Sequence, residues 1–135
     1  MIFKTKKIER SVTLTKKSQE GILSYCKMNH PNEMVLILKG KSKKGNVLVE
    51  SLVIPPFSET GPTFAGFPSS FLPLDLSYIG MAHSHPEGSA EPSIEDLNNF
   101  FGLISIIVKS PYTEDDIFAW DSSGNTIPIS VTENI

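Results

Sequence analysis

The sequence has a single cysteine, Cys26, so it cannot form a disulfide within one chain. A structural zinc site closed by several thiolates is therefore disfavoured, as is the cysteine-ligated zinc site of the deaminases. A lone thiol suits a reducing compartment, and we expect a cytoplasmic protein. Because no activating base lies near it in the sequence, we interpret Cys26 as a small buried hydrophobic residue rather than a nucleophile.

The chain also lacks long apolar runs and a strong excess of one charge. No stretch approaches the roughly 18 apolar residues of a membrane-spanning helix. The basic cluster at residues 4–7 is not followed by an apolar segment, so we expect neither a membrane span nor a signal peptide. The formal net charge of −3 gives no electrostatic reason to expect nucleic-acid binding. With 39% hydrophobic and 20% charged residues, residues 1–135 are predicted to form one globular domain.

The hydrophobic pattern predicts an α/β fold with a single mixed β-sheet flanked by at least two helices. A helix is predicted over residues 15–29, with Thr15 or Ser18 as its cap and Pro31 as its stop. Residues 33–54 resemble a β-hairpin with a lysine- and glycine-rich turn. The proline-, glycine- and phenylalanine-rich residues 55–73 are predicted to form a long surface loop without regular structure.

The second half of the chain predicts the rest of the sheet. Residues 103–110 are continuously apolar and β-branched, which is typical of a central strand. The remaining predicted elements are a strand over 76–85, a short helix within 92–102, and a closing hairpin formed by 116–120 and 126–132.

Two histidines stand two positions apart at the end of the predicted strand 76–85. Residues at this spacing point to the same face of a strand, so His83 and His85 project together while Ser84 points away. Two imidazoles on one face can share a zinc ion, although a catalytic site needs a further protein ligand. The same spacing is also common in strands whose histidines do no chemistry, so this pair alone does not distinguish a zinc site from two structural histidines.

A carboxylate is the available third ligand, and several follow the histidines. The candidates are Glu87, Glu91, Glu95 and Asp96. Asp96 would lie in the first turn of the predicted helix, where a negative group is favoured. Ser93 and Asp96 also resemble a capping box, and capping alone would explain both residues. These residues therefore leave the choice between a metal site and a purely structural arrangement open.

At these positions the chain resembles the JAMM (MPN+) metalloproteases. The family signature is E…H-[ST]-H-x7-S-x-x-D. The chain reproduces it with His83-Ser84-His85, seven intervening residues, Ser93 and Asp96. An upstream glutamate is also required, and "EMVLILKGK" from Glu33 resembles the family pattern E-x-x-G-x-L-x-G-K except at Leu36, where a glycine is common. Glu50 is the competing acid, and the resemblance favours Glu33.

The resemblance implies an MPN/JAB-like fold with a cytidine-deaminase-like architecture. It implies one Zn²⁺ ion per chain, held by His83, His85 and Asp96. Glu33 would be the general acid–base, and Ser93 would donate a hydrogen bond to the oxyanion. His30 lies outside the signature and is interpreted as a surface residue near a helix end.

The function implied by the resemblance is a zinc-dependent peptidase or isopeptidase. Its expected substrate is the C-terminus of a ubiquitin-like or sulfur-carrier protein, with neither nucleic acid nor membrane as a partner. The alternatives are a non-catalytic MPN-type scaffold for protein interactions, and a structural metal site or plain core histidines without chemistry. Retention of every acidic and imidazole position of the signature disfavours the scaffold.

Overall fold

The computed structural model describes residues 9–55, 59–61, 64–66 and 75–133. Within these residues the α-helices are α1, Lys16–Asn29, and α2, Ile94–Asn98. The strands are β1 Ser11–Thr15, β2 Val35–Lys43, β3 Asn46–Val53, β4 Glu59–Gly61, β5 Phe64–Gly66, β6 Tyr78–His85, β7 Ile104–Lys109, β8 Ile117–Trp120, β9 Thr126–Ile127 and β10 Ile129–Thr132.

Helix α1 begins and ends where its sequence predicts. The Thr15 hydroxyl accepts a hydrogen bond from the Ser18 backbone N–H at 3.1 Å, which satisfies one of the free donors of the first turn. The helix stops at Asn29, before the proline at position 31. Its buried face includes Ile22, Leu23 and Cys26, which join the main hydrophobic core beneath β1 and β3. The helix and its cap are confirmed.

Among the described residues, eight strands form one mixed sheet in the order β10-β1-β3-β2-β6-β7-β8-β9. Strands β2 and β3 form the predicted hairpin, whose turn residues Lys44 and Gly45 both have positive φ, the conformation that a tight two-residue hairpin turn requires. Strand β7 runs parallel to β6, and its residues 104–108 are all buried. The predicted mixed sheet and its apolar central strand are confirmed.

The structure corrects the prediction at the two edges of the sheet. Within the predicted closing hairpin, only β9 pairs antiparallel with β8. Strand β10 instead pairs in parallel with β1, and β1 was not predicted from the sequence. Pro128 alone separates β9 from β10, and its carbonyl accepts a hydrogen bond from the Val12 N–H at 2.8 Å. The sheet therefore curls, so that its two edge strands, β9 and β10, approach each other at Pro128.

The predicted loop over residues 55–73 also differs from the structure. Strands β4 and β5 lie within it and form a small antiparallel sheet of their own. The other predicted loop residues from 56 to 73 lie outside the described part of the chain.

Candidate metal centre

His83 and His85 lie at the carboxyl end of β6, between β2 and β7. Their imidazole rings are neighbours on one face of the strand, with centroids 5.1 Å apart. His83 is only 5% exposed, whereas His85 is partly accessible. The strand periodicity thus brings the two rings together, as the sequence predicts.

Asp96 reaches the histidines from the first turn of α2. Its carboxylate Oδ2 lies 3.2 Å from His85 Nε2, and its Oδ1 lies 3.7 Å from His83 Nε2. A capping box holds this aspartate in place. The Ser93 hydroxyl accepts a hydrogen bond from the Asp96 N–H at 3.0 Å, and Asp96 Oδ2 accepts one from the Ser93 N–H at 2.8 Å.

A backbone carbonyl orients the His85 ring. His85 Nδ1 lies 2.9 Å from the Ser89 carbonyl oxygen, and a carbonyl can only accept, so Nδ1 carries a proton. His85 Nε2 faces the Asp96 carboxylate at 3.2 Å and donates a hydrogen bond to it, so a metal ion bound there would take the place of the Nε2 proton. This arrangement matches that of metal-binding histidines, whose second nitrogen usually donates to a carbonyl or carboxylate.

The electrostatics of the cluster favour the neutral form of His83 and the charged form of Asp96. Burial of His83 lowers its pKa to about 4, which outweighs the opposing effect of Asp96. Burial alone would raise the pKa of Asp96, but the His85 hydrogen bond and the nearby His83 lower it to about 2. At neutral pH His83 is thus a neutral imidazole and Asp96 a carboxylate. Burial opposes the charge of His85, but its hydrogen bonds to Asp96 and the Ser89 carbonyl outweigh burial and raise its pKa.

The three side chains fit a zinc ion. His83 Nε2 is buried and has no hydrogen-bond partner in the described structure. A buried polar nitrogen without a partner is costly unless something else satisfies it. One ligand atom from each of His83, His85 and Asp96 lies within 4.8 Å of the others. Two nitrogens and one oxygen form a donor set typical of catalytic zinc sites.

The cluster opens into a cleft of about 320 Å³ that also contains the predicted acid. Glu33 lies two residues before β2 and lines this cleft together with Ser93. The pKa of Glu33 is raised, chiefly because burial disfavours its charge, and Asp96 and Glu95 add to this effect while His85 opposes it. A raised pKa suits a carboxylate that accepts and then returns a proton. The remaining lining residues are Val35, Met81, His83, His85, Glu87, Glu95, Asp96 and Asn99.

None of the competing acids belongs to the cluster that His83, His85 and Asp96 form among the described residues. Glu50 is exposed on β3 and is not among the described residues that line the cleft. Glu87 and Glu95 lie on its wall, and Glu91 is exposed. His30 is exposed at the end of α1, as predicted, but its Nδ1 also lies 2.7 Å from the hydroxyl of the buried Tyr112.

Two serines support the site in ways that the sequence does not predict. The Ser89 carbonyl orients His85, and the buried Ser84 hydroxyl accepts a hydrogen bond from the Met34 backbone N–H at 2.9 Å. The alternation of side chains along β6 indicates that Ser84 points away from the histidines. Its partner becomes visible only once the pairing of β2 with β6 is known.

Comparison with known proteins supports the geometry. The profile of the family described as "Prokaryotic homologs of the JAB domain" matches residues 15–123. The chain is 35% identical over 112 residues to a "Probable metalloprotease" of Haloferax volcanii, covering 77% of this chain and 69% of that protein.

Two solved structures share the fold. A JAB1/MPN domain protein from Archaeoglobus fulgidus superposes with a TM-score of 0.66 at 26% identity, covering 90% of this chain and 99% of the other. A structure described as "JAMM: A Metalloprotease-like Zinc Site in the Proteasome and Signalosome" gives a TM-score of 0.66 at 28% identity, covering 91% of this chain and 99% of the other.

Proposed function

The chain belongs to the prokaryotic homologues of the JAB domain, a family of JAMM-type metalloproteases, and we propose that it is a zinc-dependent peptidase or isopeptidase. One observation carries the proposal. His83, His85 and Asp96 meet in the same cleft as Glu33, a carboxyl group with a raised pKa. A metal site beside a proton-accepting group is the arrangement that hydrolysis of an amide requires.

His83, His85 and Asp96 would hold the ion. Zinc at this position would supply a Lewis acid, which makes water nucleophilic near neutral pH. The chain's own residues provide the remaining functions. Glu33 would take a proton from the attacking water and transfer it to the leaving amine.

Ser93 has the donor that an oxyanion needs. Its hydroxyl oxygen accepts a hydrogen bond from the Asp96 N–H, which leaves the hydroxyl proton free to donate. Ser93 lines the cleft, so this proton can be directed at the developing charge on the substrate carbonyl. Capping and catalysis are therefore compatible in one residue.

The proposed substrate is the C-terminal tail of a ubiquitin-like or sulfur-carrier protein. The family resemblance of the signature residues supports it. Glycines at the end of such a tail would let its backbone approach the cluster closely, because they have no Cβ. The competing function is a non-catalytic MPN-type scaffold, and retention of Glu33 together with the three clustered side chains disfavours it.

Cleavage of defined fusions tests the proposal. The zinc-loaded chain is incubated with a small ubiquitin-like protein joined through a diglycine-ended tail to a reporter. We expect cleavage after the diglycine, and much slower cleavage when two bulky residues replace the glycines. The Glu33→Gln variant is the control for a contaminating protease. Absence of cleavage by zinc-loaded protein would favour the scaffold, and equal rates on both tails would refute the proposed tail specificity.

A further inference from the structure

The segment that carries Glu33 leaves the regular sheet just before β2 begins. Strands β2 and β6 pair antiparallel from Val35, which lies opposite His83. One position further out, the Ser84 N–H still donates to the Met34 carbonyl at 3.2 Å. The Met34 N–H does not complete the pair with a backbone carbonyl but donates to the Ser84 side-chain hydroxyl at 2.9 Å. The hydroxyl thus extends the strand pairing by one residue.

This hydrogen bond constrains Glu33 directly. The Met34 N–H belongs to the planar peptide group that is attached to the Glu33 Cα, so fixing that N–H fixes the direction of the backbone at Glu33. Ser84 is also covalently bonded to both His83 and His85. One residue therefore connects the backbone of the proposed proton acceptor to the two imidazoles across the cleft.

Burial makes the contact hard to replace. Ser84 and Met34 are both completely buried, so water cannot take over the role of the hydroxyl. A variant without the hydroxyl would leave the Met34 N–H unpaired inside the protein, and the chain near Glu33 would have to move to satisfy it. Ser84 points to the opposite face of β6 from the histidines, and it does not line the cleft.

We propose that Ser84 is a positioning residue that sets the location of Glu33 relative to His83 and His85. The proposal rests on the proposed hydrolytic function of the cleft. Misplacement of a catalytic group by about 1 Å can cost on the order of 100-fold in rate. Loss of the Ser84 hydroxyl should therefore act on the chemical step while leaving the metal ligands in place.

The test compares Ser84→Ala and Ser84→Cys with Ser84→Thr. Alanine removes the acceptor, cysteine keeps the approximate size but accepts only weakly, and threonine keeps the hydroxyl. We expect the first two variants to lower kcat by roughly 10- to 100-fold with KM within about twofold of wild type. Zinc content should stay unchanged, and Ser84→Thr should restore most of kcat. If Ser84→Ala does not fold, the Ser84→Cys and Ser84→Thr pair carries the comparison.

Ser18→Ala is the matched control for stability. Ser18 is another buried serine, and its hydroxyl donates to the Val49 carbonyl at 3.2 Å in a different part of the sheet. This variant should lose comparable stability and retain kcat. A positioning role is overturned if Ser84→Cys keeps the wild-type kcat, if it loses zinc, or if Ser18→Ala lowers kcat equally.

Hydrogen exchange provides a readout that does not depend on activity. We expect the Met34 amide to exchange roughly tenfold faster in Ser84→Ala or Ser84→Cys than in wild type. If no substrate is cleaved by the wild type, the proposed function fails while this measurement still tests the contact. Unchanged Met34 protection in both variants would show that the hydroxyl does not hold this segment.

Discussion

At the scale of single residues, His83 and Asp96 both have lowered pKa values, but for different physical reasons. Both lose solvent on folding, but the imidazole has no hydrogen bond at Nε2, so burial dominates and lowers its pKa to about 4. The carboxylate gains hydrogen bonds from His85 and the Ser93 N–H, and these overcome the effect of burial and lower its pKa to about 2. Each group is thus held in its ligand form at neutral pH without a metal being needed to deprotonate it.

Glu33→Gln should abolish most peptidase activity without releasing zinc. The amide keeps the size of the side chain but cannot accept a proton, and general acid–base catalysis typically contributes about 10²–10⁴-fold. The measurement is kcat together with zinc content for the purified variant. Glu50→Gln is the matched control, because Glu50 is exposed on β3 and should leave kcat unchanged. The assignment of the acid is wrong if the two variants behave the other way round.

Cys26 should resist thiol reagents in the folded protein. It is completely buried in the core, and burial raises its pKa from 9.0 to about 12, so little reactive thiolate forms. The folded pKa lies above the unfolded one, so the unfolded chain loses its proton first. The contribution of Cys26 to stability is therefore lost as the pH rises from about 9 toward 12.

Labelling and unfolding at several pH values check this assignment. Reaction with a thiol reagent should follow the rate of unfolding, and Cys26→Ala should flatten the fall in unfolding free energy above pH 9. Rapid labelling of the native protein would contradict a buried structural role.

The sequence predicts single residues unevenly for physical reasons. His83 and His85 are placed together by the two-residue period of a strand, which is a local property. Asp96 cannot be separated from Glu87 or Glu95 on that basis, because the direction of α2 depends on tertiary contacts, and the family signature is needed. The hydroxyl contact of Ser84 depends on strand register, which one sequence does not reveal.

At the scale of elements, α2 is a five-residue helix with no buried residue. Propensity and packing contribute little to so short a helix, so its capping box is its main internal support. That box uses the same two residues, Ser93 and Asp96, that face the cleft. The stability of the helix start and the geometry of the site are therefore determined together.

Substitutions of Ser93 should separate its two roles. Ser93→Ala removes the cap and the hydroxyl, and should cost about 1 kcal/mol of stability, whereas Ser93→Gly should cost only a few tenths. Both variants lose the hydroxyl donor, so both should lower kcat by about 10²–10³-fold. Thermal unfolding and kcat are measured on the pair. Near-wild-type kcat in Ser93→Gly would show that the serine only caps the helix.

The predicted elements were most accurate where the pattern is local. Helix α1 and the β2–β3 hairpin have caps and turn residues beside them in the sequence. Strand β1 was missed because it is short. Residues 129–132 were predicted to be extended, but their pairing with β1 was not, because it joins residues from the two ends of the described chain. Residues 126–132 follow a turn and were therefore predicted to be one strand of a hairpin. In the structure the chain passes at Pro128 from the β9 edge of the sheet to the β10 edge.

At the scale of the whole molecule, the cluster of His83, His85 and Asp96 brings together residues from the curled sheet and from α2. His83 and His85 belong to an interior strand, Glu33 precedes the neighbouring strand, and Asp96 belongs to a surface helix. Within the described residues, neither helix is long and apolar enough to cross a membrane. A metal ion bound by the cluster would connect α2 to the core more firmly than packing does.

Zinc removal should therefore loosen α2 more than the centre of the sheet. The helix has no buried side chain of its own, whereas residues 104–108 of β7 are all buried. Hydrogen exchange of the Leu97 and Asn99 amides should accelerate in chelator-treated protein, while that of β7 should change little. Equal exchange of α2 with and without zinc would show that the ion does not hold this helix.

The most direct test of the account is the zinc content of the purified chain and of its double variant His83→Ala/His85→Ala, determined by elemental analysis after dialysis. Wild type should contain one zinc ion per chain, and the double variant should contain almost none, because both nitrogen ligands are gone. A circular dichroism spectrum confirms that the variant is folded. Undiminished zinc in a folded double variant would contradict the site and with it the proposed chemistry.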